Sequence, residues 1–270
     1  MTLSVVSWTL GLTEPAALMR RVRALGLEGV QYAGDHRDTS AQALREQAME
    51  AGVRVIAIDP FNAAPKDPGT ASTEGAIDYY RQVIDFAAQV GHVPVTLQGL
   101  SQWTRNCPDR ASAWRRLFDA CQAVDDYARK QGVPTLYEVC NHYEVPLIHT
   151  SVQALELIER IGTGNLRLIL DSFHMNIDEP VPIAALARLA PQLGGYHVSD
   201  SGRGGIGTGH IDFKAQHDAL RANGFKGDVA IELVLPHLVP SRAPATEADR
   251  TALDEQIRTS AQRWRRYASG

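Results

Sequence analysis

Three carboxylates and one imidazole are the most informative residues of the sequence, because each lies beside a short apolar run. Glu138 lies in LYEV, Asp171 in LILDS, His197 in GYHV and Glu232 in AIEL. Carboxylates that converge in a buried place repel one another, and a divalent cation removes that penalty. An oxygen-rich set with one imidazole favours Mn²⁺, with Mg²⁺ or Co²⁺ as alternatives, over a structural Zn²⁺ site. We therefore expect these four side chains to form a divalent-metal site.

The apolar runs that would position these residues belong to a set of eight. They lie at 3–8, 28–33, 53–58, 93–98, 134–139, 166–170, 194–198 and 229–234. Short runs rich in β-branched residues are typical of parallel strands that are buried on both faces. The four candidate ligands fall at or near the ends of the last four runs.

Segments with helical spacing separate these strands. They lie near 14–25, 40–51, 73–90, 109–124, 150–162, 183–190, 213–222 and 247–267. Thr13, Asp109 and Thr150 are the predicted N-caps, with Gln153 completing a capping box and Gly162 ending its helix. Eight strand–helix units predict an α/β fold, a (β/α)8 TIM barrel in a single domain over residues 1–270, with a doubly wound open sheet as the alternative. In such barrels the chemistry lies at the C-terminal ends of the strands.

The overall composition argues against several classes of function. The net charge is −4 and there is no long basic run, which argues against a nucleic-acid partner because phosphate binding needs clustered Lys and Arg. No apolar stretch approaches the roughly 18 residues that a membrane-spanning helix needs. Three cysteines without a C-x-x-C pair, and a first segment unlike a signal peptide, favour a reduced, cytoplasmic protein.

The segments around the candidate ligands resemble one known family. The motifs are EVCNHYE (138–144), LDSFHMNIDE (170–179), HVSDSGRGGIGTGHIDF (197–213) and the glutamate of AIELV. They resemble the ketose 3-epimerases, the tagatose and psicose epimerase branch of the xylose-isomerase-like barrels. The resemblance covers residues 134–234, and the steps of 33, 26 and 35 residues between the four ligands are those of this branch.

The resemblance implies a role for each site residue. Glu138, Asp171, His197 and Glu232 would bind the metal, and the two glutamates would also exchange a proton with opposite faces of a small keto-sugar. Glu144, His174 and Arg203 would hold the substrate oxygens. A bare carboxylate is too weak a base for a proton next to a ketone, so a metal that polarises the carbonyl is needed. Two carboxylates on opposite faces would invert the carbon centre. A homodimer or homotetramer is also implied.

Two departures from the family pattern leave the substrate and the reaction open. His197 is followed by SDSGR, and Glu232 lies in IELVLP; both segments are expected at the substrate pocket. An aldose–ketose or inosose isomerase and a keto-sugar lyase are alternatives that use the same metal site. Arg203 beside a glycine-rich loop would also suit a sugar phosphate. A barrel that binds without turnover, and a relative of the abasic-DNA endonucleases, are weaker alternatives.

Overall fold

Hydrogen bonds between eight parallel strands close the sheet on itself. A computed structural model describes residues 2–60, 62–239 and 242–269. The strands are β1 (Leu3–Val6), β2 (Gly29–Tyr32), β3 (Arg54–Ile58), β4 (Val95–Thr96), β5 (Thr135–Val139), β6 (Leu166–Asp171), β7 (Leu193–Val198) and β8 (Asp228–Ile231). They pair in sequence order, and β8 pairs with β1. The predicted (β/α)8 barrel is confirmed, and the alternative of an open sheet is wrong.

Helices surround the barrel at the positions that the periodicity predicts. They are α1 (Ser7–Leu10), α2 (Pro15–Ala24), α3 (Ala41–Ala51), α4 (Thr73–Gly91), α5 (Arg110–Lys130), α6 (Ser151–Ile161), α7 (Ser172–Asp178), α8 (Pro182–Leu189), α9 (Phe213–Ala222) and α10 (Glu247–Ser269). Two 3-10 helices lie at Pro68–Thr70 and Gln98–Thr104. The short helices α1 and α7 were not predicted. Within the described residues, none of the helices combines the length and apolarity that crossing a membrane requires.

The predicted helix caps are partly correct. Asp109 caps α5, Thr150 caps α6, and Gly162 follows α6 with a φ of 62°. The prediction for α2 is wrong by one residue, because Pro15 occupies the first helical position and Glu14 becomes the cap, accepting from the N–H groups of the second and third helical residues.

The predicted capping box of α6 does not form. The Gln153 side chain turns away from Thr150, and its Oε1 accepts from the backbone N–H of His149 at 2.7 Å. The glutamine thus satisfies a donor one residue further upstream, while Thr150 Oγ1 still accepts from the backbone N–H of Gln153 at 3.4 Å.

The parallel register brings the candidate ligands to one end of the barrel. Asp171 is paired with His197 across β6 and β7. Glu138 is the fourth residue of β5, and Glu232 directly follows β8 with its N–H bonded to the carbonyl of Val198 at 3.0 Å. All four therefore lie at the C-terminal ends of their strands, as the barrel requires.

A buried carboxylate connects α5 to the N-terminal end of the barrel strands, opposite the candidate ligands. Asp125 is fully buried, and it accepts hydrogen bonds from the hydroxyls of Thr135 and Thr163 and from Nδ2 of Asn165, the last at 2.8 Å. Thr135 is the first residue of β5. Removing this carboxylate would take the acceptor from the buried hydroxyl of Thr135 and from the two half-buried donors of Thr163 and Asn165, a costly change in a protein interior.

We predict that Asp125→Ala destabilises the protein by about 3 kcal/mol, with the thermal midpoint falling by about 5–10 °C. The control is Asp126→Ala, which removes the neighbouring exposed aspartate of the same helix and should change stability by less than about 0.5 kcal/mol. Thermal and urea unfolding followed by circular dichroism measure both. Equal effects of the two variants would contradict the assigned role of Asp125.

Candidate active site

Four buried side chains form a compact set of donor atoms at the top of the barrel. Glu138, Asp171, His174 and Glu232 each offer one atom, and these atoms all lie within 4.8 Å of one another. None of the four residues is more than 4% exposed. Oxygen ligands lie about 2.0–2.6 Å from Mg²⁺ or Ca²⁺, so atoms around one divalent ion must lie within about 5 Å of one another. The spacing fits a single ion.

His197 reaches the same centre from β7. Its Nδ1 lies 3.0 Å from Oε1 of Glu138 and 3.1 Å from Oε2 of Glu232, whereas its Nε2 lies 3.0 Å from Oε1 of Gln31. His197 thus contacts two of the other three predicted ligands, but it is not one of the four donors that lie within 4.8 Å of one another. His174 takes that place: its Nε2 lies 3.7 Å from Oε1 of Glu138, although the sequence analysis assigns this residue to the substrate.

Asp171 provides the test of whether a cation fits. Its Oδ1 accepts from the backbone N–H groups of Phe173 and His174 at 2.6 and 3.1 Å, so it also caps α7. Its Oδ2 is buried and has no hydrogen-bond partner among the described residues. A buried carboxylate oxygen without a donor is costly unless a cation compensates it. The donor set therefore fits a divalent metal.

The two glutamates of the site are shifted in opposite directions. Burial, together with the charge of Glu232, raises the pKa of Glu138 to about 8. Burial acts on Glu232 as well, but the positive charges of His197 and Arg203 outweigh it and lower the pKa of Glu232 below its ordinary value. Carboxyl groups whose pKa values are driven apart are suited to act as an acid and a base in the same reaction.

Arg203 supplies a positive charge at the edge of the cluster. One guanidinium nitrogen lies 3.6 Å from Oε2 of Glu232, and another lies 3.2 Å from Nε2 of His174 and 3.9 Å from Oε1 of Glu144. The guanidinium carbon lies 4.7 Å from the centre of the Phe173 ring, a cation–π contact. Burial, with the charge of Arg203, holds the pKa of His174 well below its usual value, so this imidazole stays neutral.

The loop that carries Arg203 is folded around one carboxylate. Asp200 accepts from the backbone N–H groups of Ser201, Gly207 and Ile211 at 2.8, 2.8 and 3.1 Å. The N–H of Arg203 donates to the Asp200 carbonyl at 2.7 Å, and Arg203 adopts a φ of 64°. A left-handed backbone is costly for a residue with a side chain, so these hydrogen bonds hold the loop in its conformation.

A cavity of about 160 Å³ lies over the cluster. Glu144, His174 and Arg203, the predicted substrate residues, all line it, and so does Cys140. Burial raises the pKa of the Cys140 thiol well above its usual value, so this residue is a neutral wall of the cavity and not a nucleophile.

Three residues of the site were missed by the sequence analysis. Trp8 donates from Nε1 to Oε1 of Glu232 at 3.1 Å, Gln31 contacts His197, and Asp59 bonds Gln31. Gln31 is a polar residue inside the apolar run GVQY, and Asp59 directly follows RVIAI. Their positions at the ends of β2 and β3 could have identified Gln31 and Asp59 as site residues.

Comparison with known proteins finds similarity to several sugar epimerases. An L-ribulose 3-epimerase of Mesorhizobium japonicum is 40% identical over 119 residues, which is 44% of this chain and 40% of that protein. A ketose 3-epimerase of Arthrobacter globiformis is 28% identical over 72% of this chain and 67% of that protein. The chain thus aligns with about two fifths of the length of the first relative and two thirds of the second.

Solved structures share the fold over nearly the whole chain. The crystal structure of D-psicose 3-epimerase with D-tagatose from Clostridium cellulolyticum H10 has a TM-score of 0.84 and 19% identity, covering 99% of both chains. A structure of L-ribulose 3-epimerase has a TM-score of 0.79 and 26% identity, covering 99% of this chain and 97% of the other. Residues 19–266 match the family described as xylose isomerase-like TIM barrel. The chain belongs to the xylose isomerase-like TIM-barrel family.

Proposed function

We propose that the protein is a divalent-metal-dependent ketose 3-epimerase that acts on a small keto-sugar. The observation that carries this proposal is the meeting of three buried carboxylates with His174, His197 and Arg203 under a cavity of about 160 Å³. Relatives named L-ribulose, ketose and D-psicose 3-epimerase support the reaction class. A cytoplasmic location and a homodimer or homotetramer remain predictions.

Glu138, Asp171, His197 and Glu232 would hold the metal, with Mn²⁺ as the proposed ion and Mg²⁺ or Co²⁺ as alternatives. When bound, the ion would polarise the substrate carbonyl and so lower the barrier to loss of the proton on the adjacent carbon. Arg203 stays charged, because the carboxylates around it outweigh its burial and raise its pKa above the usual value. Its guanidinium, with His174 and Glu144, would orient the substrate oxygens.

Glu138 and Glu232 would carry the proton transfer. They lie at the ends of β5 and β8, three strands apart around the eight-stranded barrel, so they approach a substrate in the cavity from different sides. In each direction of the reaction, one of these two carboxyl groups would take the substrate proton as the base while the other gives up a proton as the acid. Removal of the proton from one face by the base, and delivery of the proton of the acid to the other face, invert the carbon centre.

We predict that Glu138→Gln lowers epimerisation by at least about 10²-fold, because the amide cannot exchange a proton with the substrate. Glu159→Gln, which changes an exposed glutamate of α6, is the control and should retain activity. The assay is incubation of the Mn²⁺-loaded protein with ketoses in D₂O, with each carbon-bound proton followed by NMR. Undiminished exchange in Glu138→Gln would contradict the mechanism.

The same spectra distinguish the alternative reactions. Deuterium at C3 together with a new epimer supports the proposal. Deuterium at C1 with an aldose product would indicate an isomerase, and loss of the sugar signals with a new alkene would indicate a lyase. Either result would replace the proposed reaction while retaining the metal site.

We predict that Mn²⁺ stabilises the protein and that Asp171→Asn removes most of this effect. Asparagine still accepts the hydrogen bonds that cap α7, but it lacks the ligand charge. At a free Mn²⁺ concentration 100 times the Kd, the wild type should gain about 2.7 kcal/mol, a gain that EDTA reverses. Asp178→Asn, at the far end of α7, is the control and should respond to Mn²⁺ as the wild type does. An unchanged response of Asp171→Asn would contradict the ligand assignment.

A further inference from the structure

A chain of buried hydrogen bonds runs from His197 to the end of β3. Nε2 of His197 lies 3.0 Å from Oε1 of Gln31, and Nε2 of Gln31 donates to Oδ2 of Asp59 at 3.3 Å. The other carboxylate oxygen of Asp59 accepts from Oγ1 of Thr96 at 2.6 Å and from Nε2 of Gln98 at 3.0 Å. His197, Gln31 and Asp59 are each 5% exposed or less.

Asp59 determines which group donates and which accepts in each of these hydrogen bonds. Its Oδ1 receives two donors, from Thr96 and Gln98, and an ionised carboxylate has no hydrogen to give, so its Oδ2 acts as an acceptor toward Gln31. Gln31 must then turn its NH₂ group to Asp59 and its carbonyl oxygen to His197. A carbonyl oxygen accepts and cannot donate, so Nε2 of the His197 ring carries a hydrogen.

The position of that hydrogen decides what the other ring nitrogen can do. In the metal-free site His197 is charged, and both ring nitrogens carry a hydrogen. A ring that gives up the hydrogen of Nδ1 to bind a cation keeps the one on Nε2 and has a lone pair on Nδ1. Nδ1 of His197 is the nitrogen that lies 3.0 Å from Glu138 and 3.1 Å from Glu232. That lone pair would point to the centre where the carboxylates meet.

We propose that Asp59 is a positioning residue that, through Gln31, fixes the hydrogen of His197 on Nε2 and so prepares Nδ1 to bind the cation. This inference rests on the proposed function, in which His197 is a metal ligand. Gln31 alone cannot impose the arrangement, because an amide presents either a donor or an acceptor depending on which way it is turned. The carboxylate of Asp59 removes that ambiguity.

The substitution Asp59→Asn tests the assignment of donors and acceptors in this series of hydrogen bonds. The side-chain oxygen of the introduced asparagine still accepts from Thr96 and Gln98, which leaves its NH₂ group facing Gln31. Gln31 then turns over to accept from it and presents its own NH₂ group to Nε2 of His197. The ring hydrogen is displaced to Nδ1, and the Kd for Mn²⁺ rises about 10–100-fold.

A double variant provides the matched control. Gln31→Glu alone places two carboxylates in contact, so it also weakens Mn²⁺ binding. Gln31→Glu combined with Asp59→Asn exchanges the amide and the carboxylate. The carboxylate that the double variant carries on β2 accepts from both neighbours, which returns the hydrogen to Nε2. The double variant should therefore bind Mn²⁺ more tightly than either single variant, a coupling that independent structural damage does not produce.

Two measurements decide the matter. Titration of Mn²⁺, with the free ion detected by electron paramagnetic resonance, gives the Kd of each variant, and circular dichroism verifies the fold. ¹⁵N NMR of the Mg²⁺-loaded wild type, labelled at histidine, should show the His197 hydrogen on Nε2. This readout does not depend on any variant folding. A hydrogen on Nδ1, an unchanged Kd in folded Asp59→Asn, or a double variant as weak as the weaker single variant overturns the inference.

A further variant separates this inference from the proposed function. If His197→Ala leaves the Kd for Mn²⁺ unchanged, His197 is not a ligand, and both the ligand assignment and this inference fail. If His197→Ala weakens binding and folded Asp59→Asn does not, the ligand assignment is supported and only the role of Asp59 is overturned.

Discussion

Three buried carboxylates within a few ångströms of one another impose the central constraint on this protein. Like charges in a low-dielectric interior repel strongly, so the arrangement is stable only if protons or positive charges compensate them. The site uses both kinds of compensation: burial and Glu232 raise the pKa of Glu138, while His197 and Arg203 lower that of Glu232. The barrel supports the arrangement, because its strand ends hold the three acids close together despite the repulsion between them.

The sequence predicts the barrel, and the strand ends that carry the candidate ligands, because both depend on local patterns. Each strand is an apolar run buried on both faces, so it is visible without knowledge of its neighbours, and the parallel order follows from alternation with helices. Helix caps are harder to predict, because moving the start of a helix by one residue changes which side chain caps it. Glu14, and not the predicted Thr13, caps α2, and Gln153 accepts from the N–H of His149 instead of closing a capping box.

The parts of the site that the sequence did not predict depend on contacts between distant residues. Trp8 and Glu232 are 224 positions apart, and Gln31 and His197 are 166 apart. No local periodicity reports that such residues meet. His174 shows a related difficulty, because its type and its position three residues after Asp171 favoured a substrate contact although they also suit a ligand. Only its distances, 3.7 Å to Glu138 and 3.2 Å to Arg203, show that it lies between the two groups.

The residues around the cavity come from two different parts of the fold: the barrel strands and the loop folded around Asp200. Glu138, Asp171 and His197 lie on barrel strands and Glu232 directly follows one, whereas Arg203 lies on a loop that is held by its own backbone hydrogen bonds to one carboxylate. A change of sequence in the loop therefore leaves the strand register intact. The segment SDSGR, which the resemblance marks as a departure from the expected pattern, lies in this loop. Substrate choice in such a barrel can diverge by exchange of one loop while the reaction centre is inherited unchanged.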